Sequence, residues 1–195
     1  MSRWSFVILV VICCSCFQEQ ASKIQPNEAF YDIKGLVDEQ IKMLDSIGPS
    51  IIKKANMGLN EETNQFVPAD SIAWSKEIYI FKSIDINKPL LKDSYTVADE
   101  MVGNYRSITY SSKYPSQTIV DNFTIQLTKE GGLPLELYAS LDSRNPLYKS
   151  VRTMEMRFTN LNGKQVLSHY KSRGWQKMIS KDSAQYSIDS EVIYN

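Results

Sequence analysis

The stretch FTIQLTKEGGLPLELYASL, from Phe123 to Leu141, contains two arms in which apolar and polar residues alternate. The apolar positions are Phe123, Ile125 and Leu127 in the first arm, and Leu133, Leu135, Leu137, Ala139 and Leu141 in the second. A period of two places successive side chains on opposite faces, which is typical of a β-strand with one buried face. The sequence between the arms, Lys129 to Gly132, predicts a hairpin turn. We therefore predict two antiparallel strands here.

The same period continues to the end of the chain. Residues 153–158 alternate in the same way, and Asn162-Gly163 predicts the next hairpin turn. The period of two begins near residue 100. Three further strands are predicted at 164–173, 175–181 and 184–194. The last strand has an apolar face that consists of Tyr186, Ile188, Val192 and Tyr194. Because the connections are too short for crossover helices, we predict an antiparallel meander of about seven strands, whose apolar face needs a cover.

The first half of the chain has the longer period of helices. We predict one helix over about 27–47, capped by Asn27 and stopped by Gly48, and a second over 70–84. Their apolar stripes are Phe30, Ile33, Leu36, Val37, Ile41 and Leu44 in the first, and Ile72, Trp74, Ile78 and Phe81 in the second. Residues 50–57 indicate a further short helix, and 59–68 a loop. These elements predict an α+β fold, with N-terminal helices packed on a curved, mostly antiparallel sheet.

All three cysteines lie within four positions near the start, at Cys13, Cys14 and Cys16. Zinc needs about four ligands, and the only histidine, His169, is distant in sequence, so we expect no metal site. A disulfide is disfavoured because near-vicinal pairs are strained and no later cysteine exists. The apolar run at 6–12 has the length of a signal-peptide core rather than a membrane span. We therefore interpret the cysteines as the end of a targeting segment.

With Ser15 ahead of Cys16, this segment resembles a bacterial lipoprotein signal. The resemblance implies that residues 1–15 are a signal peptide and that Cys16 is lipidated. Residues 16–26 would then form a tether, and 27–195 a single α+β domain.

Two features of the segment bear on alternatives. Cys13 stands where the family usually has leucine, and Cys14 remains a second possible lipid site. Phe17, in place of an aspartate after the cysteine, favours the outer membrane, with the leaflet open. An ordinary secretory signal cleaved after Cys16 would instead give a secreted soluble protein.

The overall layout is similar to that of small single-domain envelope lipoproteins of Gram-negative bacteria, a largely uncharacterised family. The stretches that carry this resemblance are WSKEIYIFKSIDINKP, NPLYKSVRTMEMRF and GWQKMISKDSAQYSI. In architecture alone, helices inside a curved antiparallel sheet also resemble the periplasmic lipoprotein-carrier fold. Such a likeness does not transfer function.

The charge balance argues against a nucleic-acid partner. Without residues 1–15 the chain has 21 basic and 22 acidic residues, a net charge of −1. Nucleic acids are bound chiefly through phosphate neutralisation by Lys and Arg, which this composition does not favour.

Few residues suggest chemistry. His169 is predicted on the polar face of its strand with Leu167 and Lys171, as an ordinary surface residue. Asp121 interrupts an apolar face and would need a partner such as Arg106 if it pointed inward; we expect it at the wet rim. Five methionines could line an adaptable cavity or simply fill the core, and we favour the core: Met57, Met101, Met154, Met156 and Met178.

These observations predict a lipid-anchored envelope protein that acts as a non-enzymatic binding or interaction module. We expect no catalytic residue, cofactor or metal. Its partners would be the membrane, through the lipid on Cys16, and an envelope protein or an apolar ligand. The alternative is an envelope hydrolase that uses carboxylates, which requires two converging acids, one of them with a raised pKa.

Overall fold

The computed structural model describes residues 30–115 and 117–194. The predicted signal peptide, Cys16 and the tether lie outside these residues. Two α-helices and nine β-strands follow one another in the order α1 (Ile33–Ile47), β1 (Ser50–Met57), β2 (Asn60–Phe66), α2 (Ser71–Ile78), β3 (Tyr95–Val102), β4 (Tyr105–Ser112), β5 (Val120–Thr128), β6 (Pro134–Asn145), β7 (Tyr148–Leu161), β8 (Lys164–Met178) and β9 (Ala184–Ile193).

All nine strands belong to one open antiparallel sheet with the order β2-β1-β9-β8-β7-β6-β5-β4-β3. The predicted meander is confirmed from β3 to β9, where each strand pairs with the next in sequence. The early hairpin of β1 and β2 joins the far side of this meander, because β1 pairs with β9 along its whole length. The fold is therefore α+β and mostly sheet, with nine strands rather than the predicted seven.

The prediction for residues 50–68 is wrong, because they form the hairpin of β1 and β2 rather than a short helix and a loop. Gly58 lies in the turn between the two strands, where it has a positive φ of 64°. Every residue of β2 is exposed, so this edge strand has no buried face that a hydrophobic period could reveal. Its conformation comes from pairing with β1.

Helix α1 begins later than predicted. The side chain of Asp32 accepts a hydrogen bond from the Gly35 amide at 2.8 Å and so caps the helix, whereas the predicted cap, Asn27, lies outside the described residues. Residue 30 and its neighbour are held in a non-helical segment, where Asn87 Nδ2 donates to the carbonyls of both Phe30 and Tyr31. The helix ends as predicted at Gly48, in the left-handed region.

The second predicted helix is divided. Its α-helical part ends at Ile78, and a 3-10 helix continues from Tyr79 to Ile84. In the second half, the two strands predicted at 164–173 and 175–181 are one strand, β8, which runs through Gly174 without a break.

One apolar core lies between the helices and the sheet. The largest fully buried side chains come from both layers: Ile33, Leu44, Ile51, Trp74, Ile78, Phe81, Ile84, Ile86, Phe123, Ile125, Leu137 and Leu141. The alternation in the stretch from Phe123 to Leu141 therefore predicted the core face of β5 correctly, and that of β6 from Leu137 onward. At the start of β6 the prediction is wrong, because a register shift pairs the buried Pro134 with Leu127 and leaves Leu133 and Leu135 only partly buried. Neither helix of the described chain combines the length and the apolar composition that crossing a membrane would require.

Candidate functional site

His169 lies on the sheet face opposite the helices, in a cross-strand ion network. Its Nε2 lies 2.7 Å from Asp189 Oδ1, and Lys171 Nζ donates to Asp189 Oδ2 at 2.5 Å. Burial acts to raise the pKa of Asp189, but the hydrogen bonds from Lys171 and His169 outweigh it and lower that pKa. The network ties β8 to β9.

Leu167 does not share that face, contrary to the prediction. The pairing of β7 with β8 shifts its register between Arg157 and Phe158, so that Arg157 faces His169 and Phe158 faces Leu167. Ser168 is the extra residue of this bulge, and Leu167 is fully buried in the core.

Asp121 is the extra residue of a second bulge, between Val120 and Asn122. Partial burial raises its pKa, and the charge of Asp142 raises it further, while Arg144 opposes the shift. Arg106, the partner considered from the sequence, is bound to Asp99 instead. The neighbouring Asp142 is held by Arg144, whose hydrogen bonds lower the pKa of that carboxyl. The structure thus brings two acids of opposite pKa shift together at one end of β5 and β6.

The five methionines do not line a common cavity. Met154 and Met156 are buried in the core, whereas Met57, Met101 and Met178 are exposed. The core-filling interpretation therefore holds for two of the five.

A polar cluster attaches α2 to the inner face of the sheet. The Glu77 carboxylate accepts hydrogen bonds from Lys53 Nζ on β1 and from the Tyr170 hydroxyl on β8, both at 2.7 Å. Burial raises the pKa of Tyr170, and the neighbouring Glu77 adds to that shift. Ser190, fully buried, lies directly across from Tyr170 and Lys53 in the strand register. This cluster fixes α2 over three neighbouring strands.

The outer side of α2 carries a second apolar stripe that sequence reasoning missed. Ile72, predicted in the core, is 66% exposed, and Tyr79 and Ile80 are 59% and 42% exposed. Ile72 lies on α2 and the other two in the 3-10 helix that follows it, and all three line one open groove, whereas Trp74 and Ile78 are buried in the core. The only signal in the sequence was that apolar residues occupy more of this helix than one stripe needs.

This stripe borders an open groove between the two helices, which we call the helix groove. It has a volume of about 780 Å³ and is lined by Asp38, Ile41 and Lys42 of α1, and by Ile72, Lys76, Tyr79 and Ile80 of the second helical segment. Lys82 Nζ donates to Asp38 Oδ1 at 2.5 Å and lies 4.9 Å from the Tyr79 ring centre. An apolar floor with basic residues beside it is therefore open to solvent.

A second groove, which we call the strand groove, crosses β7, β8 and β9 beside the β1–β2 turn. Its volume is about 520 Å³, and Arg152, Arg173, Trp175 and Tyr186 are among the residues that line it. Tyr186 belongs to the apolar face predicted for the last strand. Tyr194, at the other end of that face, packs on the core and donates its hydroxyl to Leu167 O.

Comparison with known proteins gives no relative. No protein-family model matches the chain, and no curated protein sequence is similar to it. Within residues 30–115 and 117–194, no three His, Cys, Asp or Glu side chains are grouped so that they could hold a metal ion. The function must therefore be argued from the grooves and the polar clusters themselves.

Proposed function

We propose that this chain is a lipid-anchored protein of the bacterial cell envelope, attached through Cys16, and that it acts as a non-enzymatic interaction module. The observation that carries the interaction role is the second apolar stripe of Ile72, Tyr79 and Ile80. Exposed apolar residues that form a contiguous patch mark interaction sites in soluble domains. The lipid anchor and the outer-membrane location rest on the resemblance of the N-terminal segment to a lipoprotein signal.

The packing of the interior favours a protein partner over an apolar ligand inside the fold. Twenty-eight buried apolar residues fill one cluster between helices and sheet, and the helix groove lies on the outside of that cluster. A partner segment with apolar side chains would fit between Ile72 and Ile80. Acidic groups flanking that segment would contact Lys42 and Lys76. The acid that lines the groove, Asp38, is already bound to Lys82.

The anchoring part of the proposal is tested by metabolic labelling with a fatty-acid analogue. We expect label on the wild-type chain and on Cys14→Ala, and none on Cys16→Ala. Label retained by Cys16→Ala and lost from Cys14→Ala would move the lipid site to Cys14. An unlabelled wild-type chain in the culture medium would establish the secreted alternative.

The interaction part is tested with the variant Ile72→Asp/Ile80→Asp and the control Leu59→Asp. Leu59 is fully exposed in the β1–β2 turn, away from the helix groove. Quantitative affinity purification from membranes should recover a partner with wild type and control, and at least ten-fold less of it with the groove variant. Equal recovery with all three chains would contradict a role for the helix groove.

The second candidate function is a carboxylate-based envelope hydrolase, which the Asp121–Asp142 pair favours. One carboxyl has a raised pKa and its neighbour a lowered one, as an acid–base pair requires. The residues that line the two grooves do not include either acid. Turnover of chromogenic ester or glycoside substrates that is abolished by Asp121→Asn would support this function over the interaction role.

A further inference from the structure

The strand groove differs from the rest of the surface in the state of its arginines. The described chain contains five arginines, and the three outside the groove all pair with carboxylates: Arg106 with Asp99, Arg144 with Asp142, and Arg157 with Glu136 and Glu155. Arg152 and Arg173, which line the groove, have no carboxylate partner among the described residues. The unpaired guanidinium groups are thus concentrated at one place.

The two unpaired arginines have little other bonding. Arg173 Nε donates to Thr153 Oγ1 at 3.2 Å, and the Nε of Arg152 is buried with no hydrogen-bond partner in the described structure. A buried donor without an acceptor is costly, and the donors of a guanidinium match the oxygens of carboxylates and phosphates. The guanidinium of Arg173, which has no carboxylate partner among the described residues, therefore favours an anion at this position.

The strand register shows how the groove is built. Arg173 and Trp175 lie on the sheet face opposite the helices, with Thr153 and Val151 as their partners on β7. Arg152 lies in the intervening row, directly across from Gly174, so the alternation of side chains places it on the opposite sheet face from Arg173 and Trp175. Asparagine and glutamine amides complete the lining at Asn56 and Gln185.

An aromatic ring and a third cation adjoin the arginines. Lys149 Nζ lies 5.4 Å from the centre of the Trp175 ring, which is half-buried. None of the described lining residues is acidic; Glu61, which accepts a hydrogen bond from Asn56, is three strands away from Arg173. A flat ring could stack on Trp175 while its anionic group meets Arg173.

We propose that the strand groove is a binding site for small organic anions that combine a phosphate or carboxylate group with a planar ring. Arg173 contacts the anionic group, and Trp175 contacts the ring. This site is separate from the helix groove and does not depend on the lipid anchor or on the proposed interaction with a protein.

The experiment is a titration of the detergent-purified full chain with phenyl phosphate, followed by calorimetry and by the NMR signal of the Trp175 indole. Inorganic phosphate and benzyl alcohol are the comparison probes, since each has only one of the two chemical groups. We expect saturable binding of phenyl phosphate at least ten-fold tighter than either comparison probe, with a shift of the Trp175 signal. The absence of saturable binding would overturn the proposal.

Variants separate a specific site from general attraction to positive charge. Arg173→Gln should weaken phenyl phosphate binding at least five-fold. Arg144→Gln, which removes the same charge from a paired arginine outside the groove, should leave binding within two-fold. Equal affinity in wild type and Arg173→Gln, or equal losses in Arg144→Gln and Arg173→Gln, would overturn the site. Arg173 is exposed, so its variant should fold.

Discussion

Gln40 on α1 takes the place of a strand partner for Leu167 on β8. Its Nε2 donates to Gln165 O at 3.0 Å, and its Oε1 accepts from Leu167 N at 2.8 Å. The pairing of β8 with β9 begins only at His169, so these backbone groups have no neighbouring strand on the side away from β7. Tyr194 completes the arrangement by donating its hydroxyl to Leu167 O. A helix side chain thus supplies hydrogen-bond partners to backbone groups at the buried end of β8, next to its bulge.

Gln40→Leu should therefore lower the free energy of unfolding by about 2–4 kcal/mol, because it leaves a buried N–H and a buried C=O without partners. Urea denaturation at neutral pH measures the change. The neighbouring Glu39→Gln, at an exposed position, should stay within about 0.5 kcal/mol of wild type. Wild-type stability of Gln40→Leu would mean that the two backbone groups find other partners.

Lys53, Glu77 and Tyr170 show why the sequence did not reveal β1. A strand on the core face is expected to alternate, but the inward positions of β1 include Ile51, Lys53 and Ala55. Lys53 points inward because Glu77, 24 residues away, supplies a carboxylate there. The apolar pattern of the strand is interrupted because Lys53, paired with Glu77, occupies an inward position where an apolar residue is expected. A partner this distant cannot be read from local spacing.

The Lys53–Glu77 pair should show coupled energetics. Lys53→Met and Glu77→Leu each leave a charged or polar group without its partner in a partly buried site, so each should destabilise the fold by about 1–3 kcal/mol. The double variant should lose at least about 1 kcal/mol less than the sum of the two. Additive losses in urea denaturation would show that the pair contributes no mutual stabilisation.

Asp121 should weaken the folded state at neutral pH. Its folded-state pKa is raised, so the native state holds the proton more tightly, and stability is lost as pH rises through the window between the unfolded and folded values. Asp121→Asn should therefore be more stable than wild type at pH 7, with the gain vanishing near pH 3, below the unfolded pKa of about 3.9.

Asp142 is the matched control for that pH dependence, since its pKa shift has the opposite sign. The hydrogen bonds from Arg144 lower the pKa of Asp142, so its contribution to stability is present above the unfolded pKa and lost as pH falls through the folded pKa. Asp142→Asn should be less stable than wild type at pH 7 and equal to it at low pH. Identical pH profiles for the two variants would refute the assignment of opposite shifts.

The two apolar stripes of α2 should differ sharply in their energetics. Ile78 is fully buried, and Ile78→Ala should cost about 2–5 kcal/mol through lost contacts and a cavity. Ile72 is mostly exposed, and Ile72→Ala should change the free energy of unfolding by less than about 1 kcal/mol. A large loss for Ile72→Ala would place it in the core, as its sequence pattern had suggested.

How much of the fold the sequence could predict therefore depended on where in the structure each residue finds its contacts and hydrogen-bond partners. The β5–β6 hairpin was predicted correctly because Phe123, Ile125 and Leu137 contact a core that all of its inward residues share. The prediction that Asn27 caps α1 was wrong, because Asp32 is an equally good capping residue. Asn87 favours the later start, since its side chain binds the carbonyls of Phe30 and Tyr31 outside the helix. The strand groove was not predicted because Arg173 differs from the paired arginines only in having no carboxylate partner among the described residues, and such pairing is a property of the assembled sheet.

Gly174 is required by the close approach of two strands rather than by its backbone conformation. A Cβ at this position would lie 2.2 Å from Val151 O and 3.0 Å from Arg152 Cα, and both are backbone atoms that no rotamer change can move. Gly163 is the opposite case, since it has a positive φ of 82° but open space around its Cβ position. Gly163→Ala should cost about 1–2 kcal/mol of left-handed strain.

Gly174→Ala should lower the free energy of unfolding more than Gly163→Ala does. The added Cβ would force β7 and β8 apart within the longest strand pairing of the sheet. The same separation would displace Arg173 and Trp175, which flank Gly174 on β8. We therefore expect Gly174→Ala to weaken phenyl phosphate binding as well as stability, whereas Gly163→Ala should reduce stability alone. Measuring both properties for both variants distinguishes a local clash from a general loss of the fold. If Gly174→Ala were as stable as wild type, the close approach of β7 and β8 would not exist in solution.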